Sequence, residues 1–313
     1  MEDQNRLELM VKIVWMYYEE GLTQARIAHT LKLSRPMVSR LLTEARQRKV
    51  VEFKIRYPWQ NDRLLQDELV RTYHLRDARV LVVDDLNQAG ALNGVGIMAA
   101  QLVETYLQDG MTLAVSRGTG VVATAQALAP HLQIHIRMVQ LQGAMGDRIL
   151  PDSDVAHILM SRFAGEFYAL NAPLLLESPF AAEALSGEPS IRAAMDIAKN
   201  ADIALVGVGS IHPEVSSLLR HGLVSCEELE GLASQGIVGD IAGRFFDENG
   251  QAVNIDFNRR LISLGLEAVR KIPIVIGVAS GAQKVDAIRA ALRAQNINML
   301  ATDSMVAQKL LSR

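Results

Sequence analysis

Two charged residues in apolar or glycine-rich surroundings could hold a small polar ligand. Asp240 follows Gly239 in the stretch IVGDIAGRFFD. A carboxylate among apolar neighbours needs hydrogen-bond donors, which a pair of ligand hydroxyls would supply. Lys284 stands where a helix is expected to begin, an unfavourable place for a cation unless an anion is nearby. The ordinary alternatives are a turn or helix-cap aspartate and a solvated lysine in the first turn of a helix.

Four loops that follow strand-like segments could surround such a ligand. Small residues there let backbone N–H groups approach an anion at a helix N-terminus. None of the loops is a Walker A sequence, and none matches GxGxxG at the head of a βαβ unit. An ordinary strand-to-helix turn is the alternative for each loop, but four together favour a pocket for a phosphorylated or polyhydroxylated molecule. The candidate effector-binding residues are Ser116, Arg117, Gly118, Thr119, Gly120, Gln142, Gly143, Gly209, Asp240 and Lys284.

A parallel sheet would bring these loops together. Continuous apolar strands that alternate with helices indicate a mostly parallel, buried sheet with helices on both sides. Ligands of such sheets bind outside the carboxyl ends of the strands. The predicted strands are 78–83, 113–115, 134–141, 173–176, 203–208, 274–278 and 298–300, and the predicted helices between and after them are 91–108, 120–129, 155–168, 190–200, 282–294 and 303–312.

A second kind of chemistry is predicted near the N-terminus, where residues 22–46 have the pattern of a helix-turn-helix. Thr23 is a suitable N-cap for a first helix, and Ser34 caps a second helix that has Pro36 in its first turn. Lys32 occupies the turn, where glycine is common. An ordinary amphipathic helical hairpin is the alternative interpretation.

The second helix of this motif has the residues that a recognition helix needs. Its apolar positions would hold it on the domain, whereas Arg35, Ser39 and Arg40 are left for base edges and phosphates. The predicted DNA-binding residues are Thr23, Gln24, Ser34, Arg35, Ser39, Arg40, Arg46 and Lys54.

The distribution of charge supports nucleic-acid binding. Residues 21–58 contain nine Lys or Arg against two Glu, a local balance of +7, whereas the whole chain carries −3. A basic module on an acidic body is typical of nucleic-acid binding. The alternation over 50–56 predicts a strand that would make the motif winged, with Lys54 near the phosphates. Residues 6–18 predict a preceding helix, with Trp15 in the core.

Length and composition limit the number of domains and the other classes of protein to which the chain could belong. At 313 residues, 49% of them hydrophobic, the chain should form about two domains. It lacks an apolar run of membrane-spanning length and a signal-peptide pattern, so we expect a cytoplasmic protein without a membrane partner. Cys226 is the single cysteine, and no metal-binding spacing occurs. We therefore expect no metal, no cofactor and no catalytic residue.

Several stretches together resemble one protein family. The segment GLTQARIAHTLKLSRPMVSRLL resembles the N-terminal domain of the SorC family of bacterial sugar-responsive transcriptional regulators. The segments ADIALVGVGS, VGDIAGRFFD, IPIVIGVASGAQKVDAIRAAL and INMLATD are similar, in order and spacing, to the effector domain of that family. The resemblance covers nearly the whole chain.

The residues and the resemblance together predict an α/β fold class with three parts, divided by the break at Pro58 and the helical pattern after it. A winged or simple helix-turn-helix domain would span 1–57, and a linker helix 58–73. An effector-binding and oligomerisation domain over 74–313 would have a mostly parallel sheet, similar to sugar-phosphate isomerases and glucosamine-6-phosphate deaminase. Family members assemble from dimers to tetramers on double-stranded, palindromic operator DNA.

The resemblance also assigns roles within the pocket. Asp240 and Lys284 would contact the sugar, and the loops at 116–120 and 142–143 would hold its phosphate. The chain departs from the family pattern in the first loop, where Arg117 begins a stretch that commonly reads Trp-Gly-x-Thr.

The resulting hypothesis is a DNA-binding regulator of a carbohydrate or polyol operon. A phosphorylated sugar or related molecule would modulate its operator binding, and the protein would not be an enzyme. The alternative is an enzyme of the sugar-phosphate isomerase or deaminase type with an appended basic domain. Against it, no histidine and carboxylate stand at a spacing that would suggest a general base and its orienting partner.

Overall fold

The computed structural model describes residues 2–48, 50–51, 59–83, 88–128, 134–145 and 155–312, with only the main chain for 2–5 and 88–89. The chain forms two compact units, residues 1–58 and 59–313. Lys54 and most of the predicted wing strand lie outside the described residues.

The first unit contains the predicted helix-turn-helix. Its helices are α1 Glu2–Tyr18, α2 Gln24–Thr30 and α3 Arg35–Gln47. The Thr23 hydroxyl accepts a hydrogen bond from the N–H of Arg26, and the Ser34 hydroxyl accepts one from the N–H of Met37. Both predicted caps are therefore present. Lys32, in the turn, has a φ of 55°, the left-handed conformation that makes glycine common at such positions.

The packing of α1 corrects the sequence prediction. Leu7, Val11 and Trp15 are 42%, 49% and 59% exposed, so the placement of Trp15 in the core is wrong. The side of α1 that packs on α2 and α3 instead carries Met10 and Ile13, both fully buried. Because α1 is apolar on two sides, its periodicity could not tell which side faces the core.

The second unit is an α/β domain, as predicted. Its strands are β1 Asp77–Leu81, β2 Thr112–Val115, β3 His135–Gln140, β4 Ala164–Tyr168, β5 Ile203–Ser210, β6 Ile237–Ile241, β7 Arg244–Asp247, β8 Ile274–Val278 and β9 Met299–Asp303. Its helices are α4 Arg63–Tyr73, α5 Gln88–Tyr106, α6 Thr119–Ala127, α7 Val155–Met160, α8 Pro179–Ser186, α9 Pro189–Lys199, α10 Ser217–Arg220, α11 Cys226–Ser234, α12 Asp256–Arg259, α13 Leu266–Arg270, α14 Val285–Arg293 and α15 Ser304–Leu311.

The strand order β1-β9-β8-β5-β2-β3-β4 is parallel throughout, and a β6–β7 hairpin adds antiparallel to the end of β5. Apolar side chains cover both faces of the sheet. The chain leaves β2 towards β3 and leaves β5 towards β8, in the opposite direction. The loops after β2 and β5 therefore diverge, and such a switch point opens a crevice at the carboxyl ends of the strands.

Two predicted elements differ in the structure. The helix expected over 155–168 ends at Met160, and β4 follows it. Gly165 in β4 has a φ of 130°, which an α-helix does not permit, and a side chain there would overlap the carbonyl of Ile136. The strand expected over 173–176 is instead two isolated bridges, to Ala144 and Leu261. The error at 173–176 arose because a continuous apolar run does not distinguish between types of element.

The helix expected as a linker is α4. Asp62 caps it by accepting hydrogen bonds from two first-turn N–H groups. Leu69 is fully buried in the core of the second unit, and the Tyr73 hydroxyl donates to the carbonyl of Leu310. The helix is thus packed along its length into the second unit. In the part of the chain that the structure describes, no helix is both long and apolar enough to cross a membrane.

Candidate functional site

The crevice at the switch point brings most of the predicted effector residues to one cavity. Its wall includes the loop after β2, the end of β5, the β6–β7 turn and the segment before α14. Eight of the ten predicted residues line it: Arg117, Gly118, Thr119, Gly120, Gln142, Gly209, Asp240 and Lys284. Their role in binding stays a prediction.

The other two predicted residues shape the cavity from behind. Ser116 is buried, and its hydroxyl accepts from the N–H of Gly207 at 3.1 Å and donates to the carbonyl of Arg117 at 3.3 Å. This hydroxyl therefore ties the end of β2 to β5. A Cβ at Gly143 would lie 2.5 Å from the carbonyl oxygen of Ala172, so only glycine fits there.

Asp240 is held over the end of β5 by the strand pairing. It pairs with Gly209, and a Cβ on Gly209 would overlap the carboxylate, with Cγ of Asp240 only 2.7 Å away. The N–H of Gly243 donates to Oδ2 of Asp240 at 3.1 Å. Burial raises the pKa of Asp240 to about 6, although the Gly243 hydrogen bond and the charge of Lys284 act in the opposite direction. The site thus contains a buried carboxylate to which, among the described residues, one backbone N–H donates.

Three cations line the same cavity as this carboxylate. Burial lowers the pKa of Lys284, the charge of Asp240 raises it, and the charge of Arg220 lowers it further. Among the described residues, the ammonium of Lys284 has no hydrogen bond or ion pair. The Nε of Arg117 is buried with no hydrogen-bond partner in the described chain. Arg220 lines the same cavity. An excess of positive charge with unused donors suits an anionic ligand.

Arg220 was missed by the sequence analysis. It ends α10, in the polar segment that follows β5. A sequence signal existed, because residues after the carboxyl end of a central strand reach the ligand crevice. The residue predicted to bind the effector in that loop is Gly209, eleven residues earlier.

Backbone N–H groups at the start of α6 add further hydrogen-bond donors for an anion. The first-turn N–H groups of α6 have no carbonyl partner within the helix, and no side chain caps them. Gly118 precedes the helix with a φ of 144°, a conformation that favours glycine. The Gln142 side-chain oxygen accepts from the N–H of Arg117 at 3.4 Å. The positive end of the α6 dipole and the side chain of Arg117 thus border the same cavity.

The cavity is narrow in this conformation. Its volume is about 30 Å³, room for about two water molecules. Small-molecule pockets are commonly about 300–1,000 Å³. A sugar-sized ligand would therefore have to separate the β6–β7 turn, the β2 loop and the long cationic side chains, and a conformational change would accompany binding.

Arg244 joins two sides of the cavity from outside it. Its half-buried guanidinium donates to the carbonyls of Asn258, Ser263 and Leu264 at 2.6–3.2 Å. Burial lowers its pKa. The same segment, residues 262–264, exchanges backbone hydrogen bonds with residues 141–143, next to Gln142. Arg244 lies four residues after Asp240, directly after the β6–β7 turn. Through residues 262–264 it therefore connects that turn to the loop after β3.

We expect Arg244→Lys to loosen the loop after β3 as well as the segment that Arg244 contacts. Lysine cannot supply the forked donors, and we expect the free energy of unfolding to fall by about 2–4 kcal/mol. Hydrogen–deuterium exchange should rise in peptides covering 138–145 and 258–266. Arg260→Lys is the matched control, since Arg260 donates to the carbonyl of Leu176 instead. Unchanged exchange over 138–145 in Arg244→Lys would contradict the coupling.

The raised pKa of Asp240 has a consequence for stability. The folded protein holds this proton more tightly than the unfolded chain, so ionisation of Asp240 favours unfolding as the pH rises from about 4 to 6. Asp240→Asn removes that cost. Its free energy of unfolding, relative to the parent protein, should rise by on the order of 1 kcal/mol between pH 5 and 7, measured by urea denaturation. A difference that does not depend on pH would show that Asp240 has an ordinary pKa.

The first unit presents a separate candidate interface on α3. Arg35, Ser39 and Arg40 are exposed on its outward side. The guanidinium groups of Arg35 and Arg40 form no hydrogen bond or ion pair with any described residue, so both are available to DNA. Arg46 is exposed as well, but it donates to the Tyr18 hydroxyl at 2.9 and 3.2 Å.

Three other predicted DNA-binding residues lie around the motif. Thr23 and Ser34 are exposed, and their hydroxyls already cap α2 and α3, as described above. Gln24 is half-buried at the start of α2. In the residues with described positions, no group of His, Cys, Asp and Glu could hold a metal ion.

Comparison with known proteins gives consistent results for both units. A family model described as "Putative sugar-binding domain" matches residues 57–312, and a model of sigma-70 region 4 matches residues 10–48. The transcriptional regulator LsrR of Klebsiella pneumoniae subsp. pneumoniae is 35% identical over 308 residues, which cover 97% of this chain and 93% of the relative. LsrR of Escherichia coli K12 is 33% identical, with 97% and 94% covered.

A solved structure extends the similarity to the whole chain. The full-length sorbitol operon regulator SorC from Klebsiella pneumoniae is 27% identical, with a TM-score of 0.73. The match covers 98% of this chain and 100% of that one. The similarity therefore includes the helix-turn-helix unit and the α/β unit together.

Proposed function

Since this chain belongs to the SorC family of sugar-binding transcriptional regulators, we propose that a phosphorylated sugar or polyol binds in the crevice between β2 and β5 and thereby changes the affinity for operator DNA. The family supplies the class of function, a DNA-binding regulator with a sugar-binding domain. The single observation that supports a phosphorylated effector is the cluster of cations with unused donors around a buried carboxylate.

We assign the two ends of the ligand from the positions of the charges. The phosphate would lie at the N-terminus of α6, against Arg117 and Arg220. The hydroxyl end would lie between Asp240, which accepts hydrogen bonds, and Lys284. A ligand that donates to the Asp240 carboxylate stabilises its ionised form and offsets the cost of its burial.

The narrow cavity provides a physical basis for regulation. Binding has to open the crevice, so the ligand favours one conformation of the second unit over another. A ligand shifts an equilibrium only by its difference in affinity between the two states. We propose that the open and closed states differ in how copies of the chain assemble, as dimers or tetramers, and so in how two recognition helices reach two half-sites on the DNA. The protein would act in the cytoplasm.

The rival function is an enzyme of the sugar-phosphate isomerase or deaminase type. One observation favours it: Asp240, with a pKa of about 6, could act as a general base next to Lys284. We propose that it does not, because every named relative reported above is a transcriptional regulator. The same carboxylate serves equally well as a hydroxyl acceptor.

Isothermal titration of the full-length protein separates these proposals. The titrants are sorbitol 6-phosphate, ribitol 5-phosphate and glucosamine 6-phosphate, each with its unphosphorylated counterpart. We expect saturable binding of at least one phosphorylated compound, at least 100-fold tighter than its counterpart, and no conversion by chromatography. Lys284→Met should abolish the heat, whereas Lys309→Met, which changes an exposed lysine on α15, should not. Turnover would support the enzyme, and equal binding of both forms would contradict a phosphate site.

A further inference from the structure

Helix α1 has an apolar stripe on the side that faces away from the core of the first unit. Leu7, Val11 and Trp15, spaced four residues apart, are each about half exposed. In an α-helix this spacing places them in one row along two turns. Scattered apolar residues on a surface are ordinary, but a row that includes tryptophan is typical of an interaction site. We call this row the α1 stripe.

The charges beside the α1 stripe indicate what kind of surface would cover it. Glu8 and Lys12 are exposed and flank the row on the same side, since each follows a stripe residue by one position. A second helix with the same sequence, running antiparallel about a two-fold axis at Val11, would place Leu7 of each copy against Trp15 of the other. It would also bring Glu8 of each copy near Lys12 of the other. The stripe is thus complementary to itself in both apolar content and charge.

We propose that the α1 stripe packs antiparallel against the α1 stripe of a second copy of this chain, with Val11 on the two-fold axis. The pairing joins two recognition helices directly, through the first unit. It does not depend on any contact of the second unit or on the effector, so it can fail while the proposed function holds.

Cysteine cross-linking of the full-length protein tests the pairing. In a Cys226→Ser background the chain has no other cysteine. Packed helix axes lie about 8–10 Å apart and Cα atoms lie about 2.3 Å from the axis, which puts the two Val11 Cα atoms about 3.5–5.5 Å apart, a separation that overlaps the range of a disulfide. Val11→Cys should therefore form a disulfide-linked dimer under mild oxidation, seen on a non-reducing gel. Lys12→Cys is the matched control, because its Cα atoms would be about 10 Å apart, beyond that range.

A second experiment tests the register of the two paired α1 helices. Chains with Leu7→Cys and chains with Trp15→Cys, made in two sizes with a tag on one, should cross-link to each other at least five times more than to themselves. The melting temperature of each variant is first compared with that of its parent. The proposal requires both the Val11→Cys dimer and the preferred cross-link between Leu7→Cys and Trp15→Cys chains. No Val11→Cys dimer, or equal cross-linking of Val11→Cys and Lys12→Cys, would overturn the proposal. The former result would mean that another surface covers the stripe.

Discussion

Substitution of Arg40 by alanine is expected to weaken binding to operator DNA by about 10- to 100-fold, that is, by about 1.4–2.7 kcal/mol. The reason is geometric, since Arg40 projects from the outward side of α3 and its guanidinium has no partner among the described residues. The loss should appear without a change in melting temperature, because no described contact is removed. Fluorescence anisotropy on DNA from upstream of the protein's own gene measures it.

The matched control is Arg293→Ala, which removes an exposed arginine from α14 of the second unit and should leave affinity unchanged. Salt dependence then separates two roles for Arg40. Loss of a phosphate contact lowers the slope of log K against log salt by about 1 and weakens all sequences alike. Loss of a base contact leaves this slope unchanged and reduces the preference for operator over unrelated DNA. If Arg40→Ala binds like the parent protein, α3 is not the recognition helix.

The second large effect is expected from Gly209→Ala. The added methyl group would occupy the space of the Asp240 carboxylate, so the carboxylate would have to leave the site. We expect effector affinity to fall about 100-fold, because the ligand loses hydrogen bonds to a charged acceptor. Operator binding without effector should remain, because the substitution does not touch α3.

Gly207→Ala gives an exact comparison on the same strand. A Cβ there would meet its nearest neighbours, the carbonyl of Arg117 and Cγ2 of Val121, at 3.7 and 3.8 Å, which is ordinary contact. Gly207→Ala should therefore retain most of the effector affinity, measured by the same titration. Equal losses in the two variants would mean that β5 tolerates no side chain at this end, and the specific role of Asp240 would lose its support.

Features that depend on neighbouring residues in the sequence could be predicted. The caps at Thr23 and Ser34 follow from residue type at a helix start, and the parallel sheet follows from continuous apolar strands between helices. Most of the site could be predicted for the same reason, because loops after parallel strands converge at one edge. Asp240 and Lys284 were recognisable as charges in unfavourable places.

The features that sequence reasoning missed depend on contacts between distant segments. Arg220 reaches the cavity from a short helix ten residues beyond β5, and the contacts of Arg244 are known only once residues 258–264 are placed. The overlap that makes Gly209 necessary arises from pairing with a strand thirty residues later. Trp15 was misplaced because α1 has two apolar sides, and only the positions of α2 and α3 decide between them.

The central claim is that an anionic sugar in the β2–β5 crevice controls DNA binding by α3. Anisotropy of the full-length protein on its upstream DNA, with and without the tightest phosphorylated compound from the titration, tests it most directly. The account predicts sequence-specific binding whose affinity shifts at least 10-fold with that compound. It predicts no shift in Lys284→Met or with the unphosphorylated counterpart. Operator affinity that stays constant while the compound saturates the protein would contradict the claim.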